Sequence, residues 1–155
     1  MDPTIAGFQW FITNIMGITS AQLPSTASVI AFAYNLAYNT VNPALACMPN
    51  ANTAEPTIYA TAVYNLAADM LINFAPDSAG PPPSTYFADL RKSFGCNSFV
   101  GGVINSTSDE GTSQGMVVPD FAQTLTVAQV QNLKTPYGRM YLGIAAGYGP
   151  LWGLS

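Results

Sequence analysis

Histidine is absent from this chain, and charged residues make up only 8% of its 155 residues. Without histidine, Ser-His-Asp and Cys-His catalysis, histidine-ligated metals and imidazole proton transfer near neutral pH are excluded. Carboxylates, hydroxyls, two thiols and four basic side chains remain. We therefore predict that the protein is not an enzyme and that it binds no metal and no cofactor.

The scarcity of charge also bears on the protein surface. A soluble domain carries about 25% charged residues, whereas 49% of this chain is hydrophobic. Between Pro3 and Ala54 there is no charged residue at all. Because surface charge keeps proteins soluble, a surface this poor in charge is expected where other subunits cover it. We therefore interpret the protein as a component of an assembly.

The few basic residues argue against nucleic-acid binding. They are Arg91, Lys92, Lys134 and Arg139, and the formal net charge is -4 with a pI near 4.2. A protein that binds nucleic acid neutralises phosphates with clustered lysine and arginine. Four scattered cations in an acidic chain do not meet that requirement.

The uncharged amino-terminal part raises the question of a membrane span. Its most apolar stretch, residues 29–47, is interrupted by Asn35, Asn39 and Pro43. A spanning helix needs about 20 predominantly apolar residues, and amide side chains in hydrocarbon are costly. We expect no transmembrane helix. Since Met1-Asp2-Pro3 carries no positively charged region, we also expect no secretory signal.

The two cysteines, Cys47 and Cys96, are compatible with a disulfide but do not specify one. A domain of this length needs no covalent bridge, which favours free buried thiols. Pairing stays open at this point.

Hydrophobic periodicity predicts a mainly helical protein. Apolar residues recur at helical spacing in four main segments: Phe8 to Ile15, Val29 to Val41, Tyr59 to Phe74 and Tyr137 to Tyr148. The predicted buried stripe of the second segment is Val29, Phe32, Ala33, Leu36 and Ala37, and that of the last is Tyr137, Met140, Tyr141, Ile144, Ala145 and Tyr148. Shorter helices are expected at residues 86–94 and 127–133.

Between residues 96 and 119 the composition shifts toward Val, Gly, Ser and Thr. The apolar runs Phe99 to Ile104 and Met116 to Val118 read as two strands, with the polar segment Ser106 to Ser113 as a mobile hairpin tip. The predicted fold class is therefore mainly α, a small helical bundle with an inserted β-hairpin over about residues 97–119. We expect one domain over 1–155, ending in a tail at 149–155.

No residue cluster has the spacing of a known catalytic or metal site. Asp109 and Glu110 are adjacent acids, but on a loop tip they are interpreted as solvated charges, and no third ligand accompanies them. The glycines form neither a dinucleotide fingerprint nor a phosphate loop.

Aromatic residues near the carboxyl terminus are the candidates for an interface, because tyrosine and tryptophan combine large contact area with a polar group. Core packing is the competing interpretation for the tyrosines. The candidate contact residues are Tyr137, Tyr141, Tyr148, Leu151, Trp152 and Leu154, together with Asp109 and Glu110 of the hairpin.

Two segments resemble small virion proteins of tailed bacteriophages. These are Ser108-Asp-Glu-Gly-Thr-Ser113 and the run Leu133 to Leu142, which contains a T-x-Y-G-x-x-Y-L pattern beginning at Thr135. The chain is similar in these segments to head–tail connector or adaptor proteins of the phage neck. In that family a helical bundle carries a hairpin and ends in a helix with this pattern.

The resemblance implies a structural protein of the virion neck, assembled in the host cytoplasm into a homo-oligomeric, dodecameric ring between portal and tail. Its partners would be copies of itself and portal-side and tail-side virion proteins. DNA would slide through without specific binding, which suits the low positive charge. Two alternatives stay open: a tail terminator, gateway ring or capsid decoration protein, and a cellular helical module that binds an apolar ligand.

Overall fold

A computed structural model describes residues 2–47, 56–77, 84–98, 106–109, 112–115 and 126–148. Within these ranges the protein is mainly helical, as predicted. The α-helices are α1 (Ile5–Asn14), α2 (Ser28–Thr40), α3 (Ile58–Phe74), α4 (Tyr86–Ser93), α5 (Val127–Asn132) and α6 (Pro136–Gly147), and a 3-10 helix spans Pro43–Cys47.

Several helix boundaries follow directly from local sequence signals. The Thr126 hydroxyl caps α5 in a reciprocal capping box with Gln129, and Thr135 caps α6 ahead of Pro136, which occupies the first helical position. After α4, Gly95 adopts the left-handed conformation (φ 66°) that favours glycine. At α1 the cap is Thr4, whose hydroxyl accepts from the Gly7 amide.

Helix α3 is the centre of the bundle. It packs most extensively against α2 and α6 and also contacts α1, α4 and the 3-10 helix. An unbroken run of its residues, from Ala62 to Asp69, is buried. A helix covered on all sides needs no amphipathic pattern, and this explains why the polar residues Asn65 and Asp69 of α3 also lie inside.

Reciprocal contacts between Asp77 and α4 and between Arg91 and the end of α3, which we call the clamp, join these two helices. The carboxylate of Asp77 accepts from the Phe87 and Ala88 amides (2.7 and 3.0 Å), which satisfies free donors at the start of α4. In return, the Arg91 guanidinium of α4 donates to the Ala75 carbonyl at the end of α3 (2.8 Å) and lies 3.6 Å from Asp77. These contacts hold the two helices together across their connection.

The predicted inserted hairpin is wrong as a part of this bundle. The described bundle is helical, and the only described strand pairing is a four-residue antiparallel ladder between Ser106–Asp109 and Thr112–Gly115. This is the segment that was predicted as the tip. The apolar runs predicted as strands, 99–104 and 116–118, lie outside the described residues, as does the whole predicted tail 149–155. Apolar patterning could not predict the ladder itself, because its strands, Ser106-Thr-Ser-Asp109 and Thr112-Ser-Gln-Gly115, contain no large apolar side chain.

Candidate functional site

The described part of the uncharged segment, residues 3–47, forms α1, α2 and the 3-10 helix, and we call its exterior the uncharged surface. Large apolar side chains are exposed on it and at the adjoining end of α3. They are Ile5, Trp10, Ile15, Phe32, Leu36, Tyr38 and, on α3, Phe74. Trp10 is the most exposed of them, at 60%. Because large exposed apolar areas are characteristic of interaction sites, we treat these side chains as candidate contact residues.

Helix α2 is rotated relative to the predicted stripe. Ala33 and Ala37 are buried as predicted, but Phe32 and Leu36 are 51% and 37% exposed, and Ile30 is buried instead. The Phe32 ring meets the Phe74 ring edge-on, with centroids 5.8 Å apart. The exposed flank of α2 and the end of α3 therefore each contribute one ring to an aromatic pair.

Tyrosine hydroxyls fasten the amino terminus to the bundle. The Tyr64 hydroxyl accepts from the Thr4 amide (3.0 Å), and the Tyr34 hydroxyl donates to the Pro3 carbonyl (2.8 Å). The Phe8 ring packs against both tyrosine rings, with its centroid 6.2 Å from that of Tyr34 and 6.1 Å from that of Tyr64. A Cβ at Gly7 would overlap the Tyr64 hydroxyl, so glycine allows this close approach. Helix α1 is thereby held in a defined position.

The structure places the carboxyl-terminal tyrosines against their own bundle. Tyr141 is buried, at 7% exposure, while Tyr137 and Tyr148 are half-buried against the core. The Tyr137 ring lies edge-on to Phe11 of α1, with centroids 6.1 Å apart. Met140, predicted as part of the buried stripe, is instead 54% exposed. Core packing thus accounts for most of the tyrosine area on α6.

The other predicted interface residues are mostly beyond what the structure describes. Leu151, Trp152, Leu154 and Glu110 lie outside the described residues. The backbone of Asp109 pairs with Thr112 at the end of the ladder. Their role in an interface stays a prediction.

A buried carboxyl joins α3 to α5 and α6. Asp69 is 1% exposed, and its side chain accepts a hydrogen bond from the Thr135 hydroxyl, which is itself fully buried. The Asn73 amide donates to Asp69 Oδ2 (3.3 Å), and the Asn132 amide, oriented with its nitrogen inward, donates to the same oxygen (3.3 Å). We call Asp69, Asn73, Asn132 and Thr135 the buried polar cluster.

Thr135 and Gly138 allow the start of α6 to pack closely against the buried polar cluster. The Thr135 hydroxyl donates to Asp69 while it accepts from the Gly138 amide (2.9 Å). A Cβ at Gly138 would overlap the Asn132 carbonyl and lie 2.8 Å from Asp69 Oδ1. Together with buried Tyr141, these are residues of the pattern on which the phage resemblance depends. Their function here is to dock α6 onto α3.

Burial raises the pKa of Asp69 from its ordinary value of 3.8 to about 6, and hydrogen bonds from Thr135 and Asn73 oppose that rise. Burial also raises the pKa of the Cys96 thiol, and the negative charge of Asp69 adds to this effect. Because Asp69 is enclosed on all sides, a substrate has no access to it. The cluster is suited to positioning helices.

The described residues contain no group of three or more Cys, Asp or Glu side chains that could hold a metal ion. Cys47 is exposed and Cys96 half-buried, and both are free thiols. Within the same ranges, no helix combines the length and apolar character that crossing a membrane requires.

Comparison with known proteins returned no relatives. No protein-family model, curated protein or solved structure matches this chain significantly.

Proposed function

We propose that this protein is a non-catalytic structural subunit that assembles with copies of itself through the uncharged surface. One observation carries the proposal: α1 and α2, which lie within a stretch of sequence that has no charged residue, expose large apolar side chains, and the exposed Phe74 ring of α3 lies against Phe32 of α2. Depletion of charge together with enrichment of aromatic residues distinguishes the core of a protein interface from ordinary surface.

The energetics favour burial of this surface. Trp10, Phe32 and Phe74 are each more than half exposed, and aromatic side chains of this kind are the typical anchors of interfaces. Each anchor contributes about 2 kcal/mol or more to association. Side chains held in position lose little conformational entropy on binding, and the Phe32–Phe74 ring contact and the fastened amino terminus provide such positioning.

From the sequence resemblance we propose that this assembly is a ring between portal and tail in the neck of a tailed bacteriophage. Two features support that proposal. A chain with net charge -4 and four basic residues would let DNA pass without binding it. A ring subunit also needs two different contact surfaces, and the exposed apolar residues lie on more than one helix.

Light scattering coupled to size exclusion, over a concentration series, tests self-assembly, and negative-stain imaging tests for a ring. The proposal predicts mass growth with concentration and annular particles. A monomer at every concentration, together with its absence from the neck in an image reconstruction of the virion, would refute it.

A further inference from the structure

The buried polar cluster joins the carboxyl-terminal helices to the rest of the bundle. Helix α5 packs against α6, and α6 packs against α3; we call α5 and α6 together the α5–α6 unit. Asp69 lies on α3, whereas Asn132 ends α5 and Thr135 caps α6. All three residues are buried. The cluster therefore lies where the α5–α6 unit meets α3.

Within the described ranges, neutral groups make the hydrogen bonds to the Asp69 carboxyl. The Thr135 hydroxyl donates to Oδ1, and the amides of Asn73 and Asn132 donate to Oδ2 (3.3 Å each). None of these donors carries a positive charge. A buried carboxylate is costly unless it is both hydrogen-bonded and paired with an opposite charge, so this site favours the protonated acid.

The other titratable groups around the cluster do not supply the missing charge. Helix α5 carries none, and on α6 burial raises the pKa of Tyr137 and Tyr141, which keeps both neutral at pH 7. The Cys96 thiol after α4 feels the charge of Asp69, and burial raises its pKa too. The basic side chains of these elements donate to backbone carbonyls instead; they are Arg91, Lys134 and Arg139.

Water has no room beside this carboxyl while α6 is docked. Asp69 is 1% exposed, and a Cβ added at Gly138 would already lie 2.8 Å from its Oδ1. Burial accordingly raises the pKa of Asp69 from 3.8 to about 6. Separation of the α5–α6 unit from α3 would hydrate the carboxyl and return it toward its ordinary pKa. Ionisation of Asp69 therefore favours the separated arrangement over the docked one.

We infer that the α5–α6 unit docks on α3 under pH control, held while the Asp69 carboxyl is protonated and released more readily once it is ionised. The stabilisation of the docked state is fully present below the ordinary pKa of Asp69 and is lost as the pH rises through about 6. The release is a local opening. The described hydrogen-bond partners of the Asp69 side chain lie on α3, at the end of α5 and at the cap of α6, so the packing of α1 and α2 on α3 does not depend on them. The inference does not depend on self-assembly.

Hydrogen exchange of the full chain, followed by mass spectrometry, measures the opening of individual helices. The exchange rate divided by the intrinsic chemical rate at each pH gives the opening equilibrium of the amides in α6 and, as an internal reference, in α2. Three proteins are compared between pH 4 and pH 7: the wild type, Asp69→Asn and the control Asp89→Asn. Asp89 is an exposed residue of α4, so its substitution removes a carboxylate without changing the cluster.

In the wild type, the opening equilibrium of α6 should rise by up to about 100-fold from pH 4 to pH 7, because the two pKa values of Asp69 differ by about two units. Asp69→Asn should show no such rise, since an amide does not ionise, and Asp89→Asn should follow the wild type. At pH 7, low concentrations of urea should accelerate exchange in α2 more steeply than in α6, because a local opening exposes less surface than unfolding does.

Two results would overturn the inference. If the opening equilibrium of α6 does not change with pH, or changes equally in Asp69→Asn, the Asp69 carboxyl does not control docking. If α6 and α2 open with equal free energy and equal urea dependence at pH 7, the α5–α6 unit separates only when the whole protein unfolds. Should Asp69→Asn fail to fold, the comparison of α6 with α2 in the wild type decides the matter by itself.

Discussion

The buried carboxyl of Asp69 predicts a specific dependence of stability on pH. Its pKa is about 6 in the folded protein, against an ordinary value of 3.8. The folded state therefore holds a proton that the unfolded chain has released between these two pH values. The contribution of Asp69 to the free energy of unfolding is therefore fully present below about pH 4. It falls as the pH rises to about 6 and stays lost at neutral pH.

The size of the effect follows from the shift. About two pKa units at about 1.4 kcal/mol each correspond to about 3 kcal/mol of unfolding free energy. Asp69→Asn is the informative variant, because an amide resembles the protonated acid and keeps an oxygen that accepts from Thr135. We expect the free energy of unfolding of the variant, relative to the wild type, to rise by about 3 kcal/mol between pH 4 and pH 7.

Urea unfolding of both proteins at a series of pH values measures this difference directly. The change with pH is the readout, since the amide introduces a constant cost where its nitrogen faces the Asn73 or Asn132 donors. A difference that stays flat would mean that Asp69 is not desolvated. A difference that falls with rising pH would mean that the start of α6 and its hydrogen bonds stabilise the anion more than burial destabilises it.

Further stability predictions concern α6 and the clamp between α3 and α4, each measured by chemical denaturation. Gly138→Ala should cost about 2–3 kcal/mol, because its Cβ would overlap the Asn132 carbonyl, whereas Gly143→Ala, which meets open space in the same helix, should stabilise by up to about 1 kcal/mol. Equal effects of the two substitutions would refute the close approach of α6. Thr135→Val should cost about 2 kcal/mol or more, since it removes both the cap and the donor to a buried carboxyl. Arg91→Ala should cost about 1–3 kcal/mol by freeing carbonyls at the end of α3, and a cost near zero would mean that water replaces the guanidinium.

Helix ends were predictable from sequence because their determinants are local. Thr126 and Thr135 cap the helices that they precede, and α2 ends just before Asn42-Pro43. A hydroxyl that accepts from an amide three residues later, or a proline that excludes a helical neighbour, acts over a few residues. Such signals are readable without knowledge of the fold.

The orientation of α2 was not predictable in the same way. Val29, Phe32 and Leu36 form one apolar stripe and Ile30, Ala33 and Ala37 another, and no charged residue marks the side that faces water. Hydrophobic periodicity locates a face only when the opposite face is polar. Because α2 has no charged residue, its sequence did not show which of its apolar residues, Phe32 among them, would be exposed.

The buried polar cluster depends on a contact between residues 66 positions apart in the chain, Asp69 and Thr135. Sequence periodicity carries no information on such pairings. One signal was present: Gly138 stands inside the most regular helical pattern, where glycine costs about 1 kcal/mol relative to alanine. A glycine in a helix despite this cost indicates that another element approaches closely. At Gly138, the Asn132 carbonyl of α5 and the Asp69 side chain fill the space that a Cβ would need.

We propose that copies of this protein associate through a surface without charge. Sedimentation equilibrium of the wild type at low and at high sodium chloride concentration tests it most directly. Salt screens interactions between charges and leaves apolar contacts intact. We therefore predict that self-association of the protein is undiminished at high salt. Association that weakens steeply with salt would place the interface on the charged part of the molecule, and an absence of association at both salt concentrations would contradict the claim outright.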